Sequence, residues 1–395
     1  MSCHEIYFDH AATTAVRPEA IAKMLPFMGQ VYGNASGIYR LARESRKAVE
    51  AARKQIADCL GANENEIYFT AGGSESDNWA IKGVARANKQ KGNHIITTKI
   101  EHHAVLHTCK ALEKDGFEVT YLDVDEYGRV SLEDVKNAIT DKTILITIMF
   151  ANNEIGTIEP VAEIGKIARE HGVYFHCDGV QAVGHVPVNV EEMNIDMLSL
   201  SGHKFGGPKG IGALYIKKGV RIANLIEGGA QERNKRAGTE NVPAIASMAE
   251  ALRCATEEME TVNKQLTRMR DRIIKEITEN IPYVRLNGHP TERLPGNVNM
   301  SFEFIEGESL LLSLDLKGIA ASSGSACTSG SLDPSHVLLA IGLSHEIAHG
   351  SLRITLGYEN TDDDIDYLFQ VLPEIVERLR MMSPLYEKVL KGENK

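Results

Sequence analysis

The chain has 395 residues, 43% of them hydrophobic and 25% charged, with a net charge of −11 from 43 basic and 54 acidic side chains. That is a globular composition, long enough for one large domain or two unequal ones. Its acidic balance argues against nucleic acid or an anionic membrane as the main partner. Cysteines stand at 3, 59, 109, 177, 254 and 327 with no C-x-x-C pair, which argues against a disulfide framework, a zinc knuckle or a dithiol centre. The sequence at Met1 has no basic segment followed by an apolar one, and no apolar stretch approaches membrane-span length. A reducing cytoplasm is the expected setting.

Helical and strand patterns then alternate. Pro18 to Phe27 reads as a first helix, and Leu41 to Leu60 as a second that stops at Gly61. A strand is expected over 66–70, a helix over 75–89, a strand over 94–98, a helix over 104–114 and a strand over 118–122. A short helix follows at 132–138. Thr143 to Met149 is a nearly continuous apolar run, as suits a strand buried on both faces. A helix over 161–171 and a strand over 173–177 complete the series. Strands separated by helix-length segments imply βαβ units and a largely parallel sheet, an α/β fold. From about Ala244 the pattern changes to a long amphipathic helical region ending near Asn280. A smaller α+β segment follows, with strands at 298–302 and 351–355 and a terminal helix over 363–381.

Several motifs carry chemistry. Asp178 lies just past the C-terminal end of a strand, the edge where ligands bind in open α/β sheets. Lys204 follows in Ser199-Leu-Ser-Gly-His-Lys204. Pyridoxal phosphate needs such a pair: a lysine for the Schiff base and a carboxylate for the pyridine nitrogen. Gly73 and Ser74, between a strand and a helix, suit a phosphate. In Glu101-His-His-Ala104, His102 or His103 could stack on a flat cofactor or simply cap a helix. Asn152-Asn-Glu-Ile-Gly156 lies beyond another strand, where an amide can meet a substrate or ring oxygen. Arg353, on an apolar strand, needs an anionic partner, either a substrate carboxylate or a structural acid. Cys327 sits at the centre of Ser322-Ser-Gly-Ser-Ala-Cys-Thr-Ser-Gly-Ser331, a composition that keeps a thiol accessible for chemistry. His345-Glu-Ile-Ala-His349 fits a zinc-protease pattern, but Gly350 and a strand follow at once and no third ligand stands nearby, so no metal is expected.

Together these motifs resemble the cysteine desulfurases of the NifS/IscS type, pyridoxal-phosphate enzymes of the class V aminotransferase superfamily. The resemblance runs from Tyr7 to Gly357 and is most specific at Ser201-Gly-His-Lys204, Asn152-Asn-Glu-Ile-Gly156, Arg236-Ala-Gly-Thr239 and Ser323-Gly-Ser-Ala-Cys327. It implies the type I fold of such enzymes: a large α/β domain of residues 15–257 holding the cofactor, and a small α+β domain of residues 1–14 and 258–395. It implies Lys204 as the Schiff-base lysine, Asp178 at the ring nitrogen, Gln181 at the phenolic oxygen and His102, rather than His103, on the ring. Gly73, Ser74, Ser201 and His203 would hold the phosphate, with Thr239 reaching over from a second subunit of a homodimer. Asn153 and Arg353 would fix the substrate carboxylate. Cys327 would take sulfur from L-cysteine as a persulfide, release alanine and pass the sulfur to an acceptor such as an iron–sulfur scaffold. A selenocysteine lyase or an aminotransferase would share Lys204 without needing Cys327; a sulfur carrier without catalysis would need Cys327 alone. One departure is Asn34-Ala-Ser-Gly37, where the resemblance expects Asn-Pro-Ser-Ser.

Overall fold

The computed structural model describes residues 5–323 and 334–392, so Cys3 and Cys327 lie outside the described residues. Its strands are β1 (Ile6–Tyr7), β2 (Ile67–Thr70), β3 (His94–Thr98), β4 (Glu118–Leu122), β5 (Thr143–Thr147), β6 (Tyr174–Asp178), β7 (Met197–Ser201), β8 (Gly212–Ile216), β9 (Val284–Leu286), β10 (Asn297–Phe302), β11 (Ile319–Ala320) and β12 (Ser351–Thr355). Seven of them form one sheet in the order β2-β8-β7-β6-β5-β3-β4. It is parallel from β4 to β7, while β8 runs antiparallel to both of its neighbours. Every residue of β3, β5, β7 and β8 is buried, as expected of strands covered by helices on both faces.

The crossovers are the helices Gly73–Asn88, His103–Lys114, Leu132–Ala138 and Val161–His171. Strands β3 and β4 and the last two of these helices have the expected bounds. Three differences bear on the site. The helix expected from Glu75 begins at Gly73, because Gly72 adopts φ +151°, a conformation open to glycine. Asp178 is the last residue of β6 rather than a position beyond it. Strands β7 and β8 have no counterpart in the sequence reading. Ser199 and Ser201 alternate with leucines in β7, and two hydroxyls in five residues mute an apolar run.

The helix Val242–Asn280 joins two hydrophobic cores. Its first turns (Ile245, Met248, Leu252) pack with the large sheet and the helix Arg40–Leu60. Its last turns (Met269, Ile273, Ile277) pack with β10, β12 and the helix Asp362–Met381. The antiparallel sheet β12-β10-β9 and the parallel pair β1–β11 belong to this second region. Because β1 lies there while Ala11 to Thr14 cross to the large sheet, the N-terminal segment bridges both.

Candidate active site

The site forms at the C-terminal edge of the parallel strands, where backbone N–H groups and loops converge. Strand β6 ends on Asp178, β7 ends on Ser201, and a single tight turn, Gly202–Lys204, follows. The helix Gly73–Asn88 starts at the same edge. A cavity of about 560 Å³ is lined by Ala12, Thr13, Gly73, Ser74, Ser201 and His203, among others. A Cβ on Gly73 would stand 2.6 Å from Val180 Cγ2, so no larger residue leaves this floor intact. His203 Nδ1 lies 3.1 Å from Thr13 Oγ1.

Lys204 is the electrostatic centre. Its Nζ donates to the carbonyls of Ala11 (2.5 Å) and Ala12 (2.9 Å), and Gln181 Nε2 donates to the same Ala11 carbonyl at 3.0 Å. Burial pushes Asp178 up to about 6, opposed by the Val180 N–H that it accepts at 3.0 Å and by the Lys204 charge. Burial, reinforced by Lys204, pushes His102 and His203 down to about 4, so both rings are neutral at physiological pH. His102 does cap its helix, with Nδ1 accepting from Ala104 N at 3.1 Å. The cap fixes the ring within reach of the Lys204 charge.

Behind Asp178 lie further buried acids. Asp77 and Glu101 are pushed well above the ordinary carboxylate range by burial. Glu101 accepts from Thr98 Oγ1 at 2.7 Å and Met149 N at 3.0 Å. His176, held down to about 3 by burial, bridges Thr147 and Ser199 at 2.8 and 2.9 Å and sits 3.6 Å from Asp77.

Asn152 serves the turn: its Oδ1 accepts from Glu154 N and Ile155 N, and its Nδ2 donates to Ile100 O. Asn153 is left half-buried, and its carbonyl accepts from Arg353 Nη1 at 3.0 Å. Arg353 also donates through Nη2 to Asp9 Oδ1 at 2.8 Å, so the structural acid expected as one of its two partners exists. Thr239 is exposed on this chain, four positions after Lys235, and Arg236 is held by two bonds to Glu75 at 2.8 and 3.0 Å. Burial raises the thiols of Cys59, Cys109, Cys177 and Cys254, Cys109 to about 12, which disfavours each as a nucleophile.

The structure thus brings Lys204, Asp178, His102, Gln181, Gly73, Ser74, Ser201 and His203 to one edge, with Asn153 and Arg353 joined to each other. The expected pyridine cofactor fits on chemistry: a glycine-floored helix start suits its phosphate, a buried carboxylate its ring nitrogen, and an amine stands at the same edge. Sequence reasoning missed Asp9, Asp77, and the pairing of Glu154 with Ser335 Oγ. Glu154 lies inside a motif already singled out. Asp9 gave no local signal, because its partner is 344 positions away.

Comparison with known proteins shows what the chain as a whole is similar to. The family model described as aminotransferase class-V matches residues 6–368. A protein named cysteine desulfurase IscS from Methanosarcina thermophila is 62% identical over 383 residues, 97% of this chain and 95% of its own. Among solved structures, a NifS-like protein superposes with a TM-score of 0.90 at 37% identity, covering 95% of this chain and 100% of its own. One titled "SspA in complex with cysteine" has a TM-score of 0.80 at 39% identity, covering 90% and 100%.

Proposed function

The chain belongs to the aminotransferase class-V family and is a pyridoxal-phosphate-dependent cysteine desulfurase; from that premise we propose which of its residues do the work. The observation that carries the assignment is Lys204: its amine stands at the strand edge within electrostatic reach of Asp178, His102 and His203. Gly73, Ser74, Ser201 and His203 hold the phosphate, Asp178 the ring nitrogen, Gln181 the phenolic oxygen and His102 the ring face. Bound pyridoxal phosphate supplies an electron sink that makes the Cα proton of cysteine removable.

Around it the chain's own groups divide the labour. Arg353 and Asn153 hold the substrate carboxylate. Lys204, once its amine is free, takes the Cα proton and returns it. The Cys327 thiolate attacks the substrate sulfur; an S–S bond forms, the Cβ–S bond breaks with its electron pair kept on carbon, and protonation gives alanine. The persulfide then passes to an acceptor, and iron–sulfur assembly is the use this supports. The raised thiols of the four described cysteines favour Cys327 as carrier. Thr239, exposed on its own chain, suits a homodimer in which it meets the partner's phosphate site. The two cores support a large domain of 15–257 and a small one of 1–14 and 258–395. Among the described residues no helix is long and apolar enough to cross a membrane, and a cytoplasmic setting is proposed.

The test is brief exposure to L-cysteine followed by mass spectrometry. One extra sulfur is expected on the Cys327 peptide and alanine in solution. Cys327→Ser should keep the cofactor's absorbance response to cysteine and carry no sulfur. Extra sulfur on Cys59, Cys109, Cys177 or Cys254 would overturn the assignment.

A further inference from the structure

Arg353 is 2% exposed, and its guanidinium is only partly satisfied. Nη2 donates to Asp9 Oδ1 at 2.8 Å and Nη1 to the Asn153 carbonyl at 3.0 Å. Nε is buried and has no hydrogen-bond partner among the described residues. Nε and Nη2 form one edge of the guanidinium fork, the geometry that takes a carboxylate bidentately. Asp9 therefore stands on half of a carboxylate site whose other half is unclaimed among the described residues.

Asp9 is itself well held. Its backbone bridges to Thr355, and Tyr7 Oη donates to its carbonyl at 3.0 Å. Its side chain keeps 19% exposure, unlike that of Arg353, and so faces the open side of the pair. Two and three residues on, the carbonyls of Ala11 and Ala12 carry the Lys204 ammonium. Residues 9–12 thus hold both the guanidinium, through Asp9, and the amine, through Ala11 and Ala12.

We infer that Asp9 is a specificity-determining residue, which shares the Arg353 fork with the incoming carboxylate and so admits α-amino acids in preference to carboxylates that lack an ammonium group. The inference rests on the reading that Arg353 takes the substrate carboxylate. One guanidinium facing two carboxylates leaves an excess negative charge. A zwitterionic ligand brings its own ammonium to offset it; a plain carboxylate brings nothing and is repelled at short range, where screening by salt is weak. Discrimination built from such a repulsive element needs no further contact. An acid serving only to anchor Arg353 would affect both ligand classes alike.

The test uses holoenzyme treated with borohydride, so that Lys204 stays linked and neither ligand reacts. Calorimetric titration compares L-cysteine with 3-mercaptopropionate, which keeps the thiol and carboxylate and lacks the ammonium. In Asp9→Asn the side-chain oxygen can still accept from Arg353 while the charge is gone. This variant should bind 3-mercaptopropionate about tenfold more tightly than wild type, with cysteine changed less than about threefold. Asp9→Ser carries the same expectation should the asparagine variant not fold. Equal changes for the two ligands, or weaker binding of 3-mercaptopropionate, would overturn the inference. The underlying reading is tested apart: Arg353→Lys must weaken both ligands, and unreduced wild type must gain sulfur on Cys327. If either fails, the reading falls regardless of Asp9.

Discussion

Glu232→Ala tests how the segment leading to Thr239 is held. Glu232, Arg233 and Asn234 adopt φ of 46°, 57° and 63°, three left-handed residues in succession and none a glycine. Each costs on the order of 1 kcal/mol or more, and such a run persists only where its surroundings enforce it. The enforcing contact is buried: Glu232 takes two bonds from Arg53, at 2.8 and 3.0 Å, and one from Phe69 N at 2.9 Å, with both charged side chains under 5% exposed. Removing the carboxylate leaves the Arg53 guanidinium, over the Phe69 ring at 4.8 Å, with only the Ile67 carbonyl at 2.7 Å and the exposed carboxylate of Glu50 at 3.4 Å. Breaking one side of a buried pair costs about 3–5 kcal/mol. Glu232→Ala should therefore lower the urea midpoint by that equivalent, and release cofactor faster because Arg236 and Thr239 lose their support. Arg53→Met combined with Glu232→Leu should recover part of the loss, since no charge is then stranded. A midpoint shift worth less than about 1 kcal/mol, or a double variant as unstable as the sum of its singles, would refute the reasoning.

Lys204→Ala should abolish turnover and the visible absorbance of the lysine-linked cofactor; colour that survives borohydride without label on Lys204 would sink its role. Sedimentation should show a homodimer, and Thr239→Ala should release cofactor faster without altering mass; a fully active monomer would contradict the composite site. Burial pushes Glu154 to about 7 and Glu159 to about 8, so the fold favours their protonated forms. Their contribution is fully present below the ordinary carboxylate range and is lost as pH rises through about 7 and 8. The thermal midpoint should fall between about pH 5 and about 8 and level off above, and Glu159→Gln should flatten the upper part; an unchanged slope in that variant would remove Glu159 as the cause.

Residues that act where the chain turns off a strand were legible in sequence. Lys204 sits three positions past the end of β7, and Asp178, Gly73 and His102 each sit within two positions of a strand or helix end; the period change that marks such an end is local. Partners chosen by topology were not. Asp9 meets Arg353 because β1 pairs with β11 and its next turn bridges to β12, a path that no window of a few residues contains. Ser335 meets Glu154 for the same reason, across 181 positions. Strands β7 and β8 were hidden differently: the serines of β7 serve a buried polar layer, with Ser199 against His176, and the sheet overrode the weak local pattern.

That polar layer decides where the site keeps its negative charge. Burial raises Asp77, Glu101 and Asp178, and the Asp178 charge raises the first two further; no metal-binding group of three or more His, Cys, Asp or Glu occurs among the described residues to offset them. Like charges so placed cannot all ionise in a buried setting. His176 offers no compensation, since burial keeps it neutral. The choice among the acids falls to the groups that stabilise an anion. Asp178 has the Val180 N–H and the Lys204 charge, and of the three it alone is held as low as about 6. Burial pushes Asp77 and Glu101 well above the ordinary carboxylate range and so favours their protonated forms. The carboxylate best stabilised as an anion is thus Asp178 at the strand edge, within reach of the Lys204 charge, where the proposed ring nitrogen would meet it.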